Sequence, residues 1–181
     1  MVRFVGSPAL SARIVDRAPE VVAGPGRVQS WVVGPGGGDD AGDQLAQALE
    51  DEVPVVVDAS ALEHLPPTFT VPALLTPHAG ELAAMLGVER DDVEADPLGH
   101  VTQAAYRWGA TVLLKGQRTL VATQSRPTRV NLSGSSWLGT AGAGDVLAGF
   151  AGAERTHRQP CARGGGRPRP GAGLGGWPGR W

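Results

Sequence analysis

The 181-residue chain is 41% hydrophobic, enough for one domain's core and too much for general disorder, and with aromatics at 5% that core must be mostly Val, Leu and Ala. Net charge is −2, yet residues 1–150 carry 10 basic and 17 acidic side chains and residues 151–181 carry 6 and 1; an acidic body argues against nucleic acid as the main partner. The single cysteine, Cys161, excludes an intrachain disulfide framework, and without a cationic-then-apolar leader or a bilayer-length apolar run the sequence reads as a cytoplasmic protein with no membrane partner.

Met1 to Val5 predicts a short extended segment. Pro8 to Ala18 places Leu10, Ile14, Val15 and Ala18 at helical spacing, with Pro near the start. Ser30 to Gly34 predicts a buried strand that runs into the loop Gly34-Pro-Gly-Gly-Gly38. Asp39 or Asp40 then caps a helix through Leu45, Ala48 and Leu49. Pro54 to Asp58 and Ala73 to Thr76 predict two further apolar strands, the first ending in a carboxylate. Strands that are apolar throughout, separated by helices, predict a parallel sheet covered on both faces. Ligands sit at the carboxyl ends of such strands. Those ends hold Gly34 to Gly38, Asp58, and Thr76 to Glu81.

Gly80 to Leu86 predicts a short helix, and the acidic stretch Glu89 to Asp96 a solvated loop and helix start. Asp96-Pro97 sets N-cap and N1 of a helix ending at Trp108-Gly109. Thr111 to Lys115 is a strand, Gly116-Gln117-Arg118 a turn, and Thr119 to Thr123 the second arm of a hairpin. Val130-Asn131 leads into a loop. Fifteen of the sixteen basic residues are Arg, so the one lysine, Lys115, stands out as a chemical choice; a strand-end surface cation is the plainer alternative.

Trp137 to Gly149 alternates Gly139, Gly142 and Gly144 with small residues, and Asp145 opens the apolar run Val146-Leu147-Ala148. A glycine loop entering a helix leaves unpaired N–H groups at the positive end of the helix dipole, which suits a phosphate. Asp145 has two readings there, a helix N-cap and a general base for a hydroxyl attacking a phosphoryl group. Residues 151–181 hold nine glycines, four prolines and six arginines and predict a disordered tail that soon ends the helix. An RNA-binding Arg/Gly tail is the weaker alternative, and GC-rich DNA read in a shifted frame would encode similar text.

Four stretches, in order and spacing, resemble the ADP-dependent NAD(P)H-hydrate dehydratases, a ribokinase-like family. They are Val33-Gly-Pro-Gly-Gly-Gly38, Thr76-Pro-His-Ala-Gly-Glu81, Val112-Leu-Leu-Lys-Gly116 through Thr119, and Gly139-Thr-Ala-Gly-Ala-Gly-Asp145; Pro54-Val-Val-Val-Asp58-Ala-Ser-Ala-Leu62 fits too. The resemblance implies an α/β fold with a mostly parallel sheet flanked by helices, spanning residues 1–150. Nothing in the chain matches the family's opening strand or its closing apolar helices. The expectation is therefore a domain truncated at both ends and poorly stable alone.

The implied reaction is ADP-dependent dehydration of (6S)-NAD(P)H hydrate to NAD(P)H, releasing AMP and phosphate. The resemblance gives Asp145 as catalytic base and hydrate ligand. It gives Ala141, Gly142, Ala143 and Gly144 as the phosphate cradle, and Lys115, Gly116, Gln117, Arg118, Thr119 and Gly144 as nucleotide contacts. Gly36, Gly38 and His78 lie on the hydrate side. Glu81 orients hydrated Mg2+ through water, unless it is only a first-turn acid favoured by the dipole. Asp58 likewise has two readings, a strand-end carboxylate on the ligand side and a mere cap of Ala59 to Leu62. The family further implies ADP as co-substrate, a homo-oligomer, and functional pairing with an NAD(P)H-hydrate epimerase. Two alternatives stand beside this: a kinase of the same fold acting on a small alcohol, and a nucleotide-binding remnant without turnover.

Overall fold

A computed structural model describes residues 1–132 and 142–157, the last three as backbone. Two parallel strands, β1 (Val2–Phe4) and β2 (Val21–Ala23), join through α1 (Pro8–Arg17) into a small unit. Ser7 caps α1, its Oγ accepting from the Leu10 N–H at 3.4 Å, and Pro8 fills the first turn, where no N–H is needed. The sequence predicts no strand at Val21–Ala23. Three residues carry no period, and pairing with β1 defines them.

The main sheet has six strands in chain order, β3 (Trp31–Val33), β4 (Val55–Val57), β5 (Ala73–Leu75), β6 (Thr111–Leu114), β7 (Thr119–Thr123) and β8 (Arg126–Asn131). β3 to β6 run parallel; β7 and β8 fold back as an antiparallel meander. Every residue of β4 and β5 is buried, as apolar runs inside a parallel sheet must be. β3 is an edge strand, with Val32 36% exposed, so the expected burial of this strand is only partial. β8 runs over residues to which the sequence reading assigns no strand; the loop expected past Asn131 falls, from residue 133, outside the described residues. The polar text of β8, with Pro127, suits an edge strand and gave no apolar signal.

One sheet face carries α2 (Ala41–Glu50), the 3-10 turn Ala59–His64, α3 (Ala79–Leu86), α4 (Arg90–Ala95) and α5 (Pro97–Trp108). Leu45, Leu82, Val93 and Val101 from these elements pack on Val55, Val57, Leu75 and Val112. α4 lies in the acidic stretch expected to be a solvated loop; fully buried Val93 anchors it. α5 begins after Asp96 and ends before Gly109, as Asp-Pro and Trp-Gly predict. Asp40 precedes α2, but its carboxylate accepts from Gln44 Nε2 at 2.7 Å instead of capping the helix.

The opposite face is covered, among the described residues, by α6 (Ala143–His157), with Ala148 against Val56 and Leu74. The helix continues seven residues past 150, contrary to an early end. Ala151 to His157 includes Ala, Glu and Arg, which sustain a helix. The tail expectation for 158–181, and Cys161 with it, falls outside the described residues. No helix among the described residues is long and apolar enough to cross a membrane.

Gly34 fixes how β3 meets the end of β4. Its φ is +110°, and a Cβ there would lie 1.8 Å from the Asp58 carbonyl oxygen. Gly36 also has positive φ, +65°, but nothing within 4 Å of the missing Cβ. Thermal melts should separate them. Gly34→Ala should cost about 3 kcal/mol or more, a fall of roughly 6–12 °C, against about 1 kcal/mol for Gly36→Ala. Equal effects would contradict the close approach at Gly34.

Candidate active site

Parallel strands end on the same side, so β4, β5 and β6 deliver Asp58, Thr76 to His78, and Lys115 to one rim. Lys115 and His78 pair in a parallel bridge beyond the strands, and the Lys115 N–H donates to the Pro77 carbonyl at 2.8 Å. The lysine stem then reaches over the end of β5. Its Nζ lies 2.8 Å from Asp58 Oδ1 and 3.6 Å from Glu81 Oε2. Asp58 is buried and the side chains of Lys115 and Glu81 are about four-fifths covered. Lys115 is therefore no free surface cation; it sits between two carboxylates, one with no access to water.

Of the two readings of Asp58, the cap fails. The residue precedes the 3-10 turn without a side-chain cap bond, and its carboxylate goes to Lys115 instead. The local chain explains why. The Asp58 N–H donates to the Val33 carbonyl at 3.0 Å, and Ser60 Oγ donates to the Gly34 carbonyl at 3.1 Å. The glycine loop and the turn after β4 are thus tied together. A carboxylate closing an all-apolar strand was the available signal; its partner, 57 residues on, was not visible in the sequence.

His78 and Glu81 form a capping box on α3. The Glu81 N–H donates to His78 Nδ1 at 3.1 Å, and the His78 N–H donates to Glu81 Oε2 at 2.7 Å. Nδ1 is thereby the acceptor, and Nε2 lies 3.4 Å from Glu81 Oε1 on a ring that remains largely exposed. The first-turn reading of Glu81 is structural fact, and it leaves lone pairs on both oxygens. Among the described residues no three His, Cys, Asp or Glu side chains are grouped to hold a metal ion. An all-protein metal cage is absent there.

The first turn of α6 stands over the ion pair. A Cβ built on Gly144 would lie 3.3 Å from Lys115 Nζ and 3.8 Å from Asp58 Oδ2. Gly142 has φ +87° and its carbonyl accepts the Val146 N–H at 3.3 Å. The N–H groups of Ala143, Gly144 and Asp145 therefore precede the helix's own bonding. Asp145 is the third residue of α6, not its N-cap, and is exposed. Ala141, the other cradle residue, falls outside the described residues.

The remaining positions divide. Gly36 and Gly38 are exposed in the loop after β3, whose fold brings Gly37 against Ser60 Oγ. Gly116, Gln117 and Arg118 are exposed at the hairpin tip, and Thr119 begins β7 opposite Asn131. The structure thus gathers Asp58, Glu81, Lys115 and Gly144 tightly, with His78 at the edge and the hairpin tip beyond Lys115.

A family model described as NAD(P)H-hydrate dehydratase matches residues 7–153. The bifunctional NAD(P)H-hydrate repair enzyme Nnr of Mycobacterium tuberculosis is 45% identical over 166 residues, covering 84% of this chain and 34% of that protein. The ADP-dependent (S)-NAD(P)H-hydrate dehydratase of Neisseria meningitidis is 41% identical over 137 residues, 69% of this chain and 46% of that one. The chain spans a third to a half of the length of these relatives. The solved ADP/ATP-dependent NAD(P)H-hydrate dehydratase of Bacillus subtilis superposes with a TM-score of 0.73 at 24% identity, over 80% of this chain and 59% of that one, a likeness of fold. On the match that spans residues 7–153, the chain belongs to the NAD(P)H-hydrate dehydratase family.

Proposed function

We propose that this chain carries the ADP-dependent dehydration of (6S)-NAD(P)H hydrate to NAD(P)H, a repair reaction that releases AMP and phosphate. The observation that carries the reading is the Lys115 ammonium held beside side-chain-free Gly144 at the mouth of α6. A fixed cation and a row of unpaired amides on one spot suit a phosphoryl group. Family membership supplies the substrates.

Asp145 is the base in this account. Its exposure and its place next to Gly144 let it meet a hydroxyl brought to the cradle. It takes the proton from the hydroxyl at C6 of the hydrated ring, and the oxygen attacks the terminal phosphorus of ADP as AMP leaves. With the O–P bond made, the C6–O bond of the hydrate breaks, with push from the ring nitrogen; phosphate departs, and loss of a C5 proton restores the dihydropyridine. The amides of Ala141, Gly142, Ala143 and Gly144 receive the charge on the phosphoryl oxygens, each worth about 3 kcal/mol at such a site. Lys115 meets the phosphates, and Gly116 to Thr119 hold the rest of the nucleotide. His78, Gly36 and Gly38 face the hydrate.

With no group of three ligands among the described residues, the donor set fits Mg2+ as an ion carried in on the nucleotide, with Glu81 the carboxylate that would hold its water. When bound, the ion neutralises charge on the phosphate oxygens. The account extends to a homo-oligomer, to work in the cytoplasm, and to pairing with an NAD(P)H-hydrate epimerase, in line with the longer relatives named as bifunctional repair enzymes.

Incubation with ADP, Mg2+ and NADH hydrate should restore the absorbance of the reduced ring. Asp145→Asn should lower that rate by about 10²–10⁴ while ADP affinity, read by calorimetry, stays as in the wild type. ADP binding without turnover, indifferent to Asp145→Asn, would favour the remnant. Glu81→Gln keeps a side chain that completes a capping box, so its melting point should stay within about 2 °C. The Mg2+ concentration giving half-maximal rate should rise. An unchanged Mg2+ requirement would leave Glu81 a helix cap alone.

A further inference from the structure

We propose that Asp58 is a positioning residue that acts through Lys115, holding the ammonium at the mouth of α6 so that it meets the terminal phosphate of a nucleoside diphosphate. The inference rests on the nucleotide reading above and adds to it a residue that the sequence leaves as strand-end carboxylate or turn cap.

Lysine carries its charge on a flexible four-carbon stem and does not fix its own position. Asp58 does have a fixed position. Its backbone is bonded to Val33 and Ala61, and the chain crossing at Gly34 leaves no room for a Cβ against its carbonyl. Its side chain is 1% exposed, so a charge there needs a partner, and Oδ1 accepts from Lys115 Nζ at 2.8 Å. The other oxygen, Oδ2, looks toward α6, 3.8 Å from where a Gly144 Cβ would stand. On the far side Glu81 Oε2 lies 3.6 Å from the same ammonium. Two carboxylates of unequal burial thus lie against one cation. The buried one, tied by its backbone, sets where the ammonium sits; Glu81, about a fifth exposed, stays open to solvent. Gly144 matters for the same reason, since any side chain there would press on Nζ at 3.3 Å.

A purely structural buried pair would stabilise the fold without distinguishing nucleotides by phosphate number. A positioning pair must distinguish them. Calorimetry on the full chain with ADP and with AMP, for the wild type, Asp58→Asn, Lys115→Ala and the double variant, makes that distinction. Asp58→Asn should weaken ADP about tenfold or more and AMP less than about threefold. The double variant should bind ADP no more weakly than Lys115→Ala alone, because Asp58 has nothing left to act through. Losses that add, or ADP affinity unmoved by Asp58→Asn, would overturn the proposal while leaving the nucleotide reading intact. Wild-type protein that does not bind ADP would remove both.

Should Asp58→Asn fail to fold, the wild type still decides. Lys115 is the chain's one lysine, so 15N-lysine labelling gives a single ammonium signal. With ADP bound, that signal should shift and keep a coupling from Nζ across the hydrogen bond to the Asp58 carboxyl carbon. A free ammonium in the ADP complex, exchanging with water and uncoupled from Asp58, would overturn the role.

Discussion

The Asp58–Lys115 ion pair is the constraint on which this rim depends. A carboxylate sealed from water costs several kcal/mol unless a cation meets it. This chain has one lysine for the purpose, and it arrives from two strands away. For the contact to form, β4, β5 and β6 must be parallel and in register, Gly34 must let β3 pass the Asp58 carbonyl, and the bridge from His78 to Lys115 must hold the end of β6 against β5. The fold's topology is thereby written into one 2.8 Å contact.

α6 links that contact to the rest of the molecule. Its small residues allow the helix to lie close on the sheet. Ala148 packs on Val56 and Leu74, and a Cβ at Gly152 would meet Val32 Cγ2 at 2.4 Å. Ser30 Oγ donates to the Gly152 carbonyl at 2.9 Å, fastening the helix to the chain that enters β3. The helix that brings Gly144 to the rim is thus also the described cover of one sheet face. Anchoring its body against the sheet fixes the direction in which its N-terminus points, and with it the amides and the dipole.

Much of this was legible beforehand because local chemistry and global fold agree. Val55 to Val57 and Ala73 to Leu75 could only be buried parallel strands, and Asp96-Pro97 with Trp108-Gly109 marked both ends of α5. What stayed hidden depended on contacts distant in the chain or on polar text. β8 is a polar edge strand defined by its pairing with β7, and α4 is an acidic helix held by Val93. The same division holds at the rim. The glycine-rich entry to α6 marked Asp145, composition marked the one lysine, and the family resemblance marked His78 and the loop glycines. The sequence leaves Asp58 as strand-end carboxylate or cap, because nothing near it in the chain reveals a cation over it. Glu81 shows that a residue can satisfy the bland reading and remain available for another: it closes the capping box and still faces Lys115.

The central claim is that the ion pair and the mouth of α6 together bind phosphate. Titrating the full chain with ADP and with adenosine, both with Mg2+, tests it most directly. The account predicts that ADP binds at least about 100-fold more tightly, since the added affinity comes from charge-assisted bonds to the phosphates. Equal affinities for the two would show that this rim holds no phosphate.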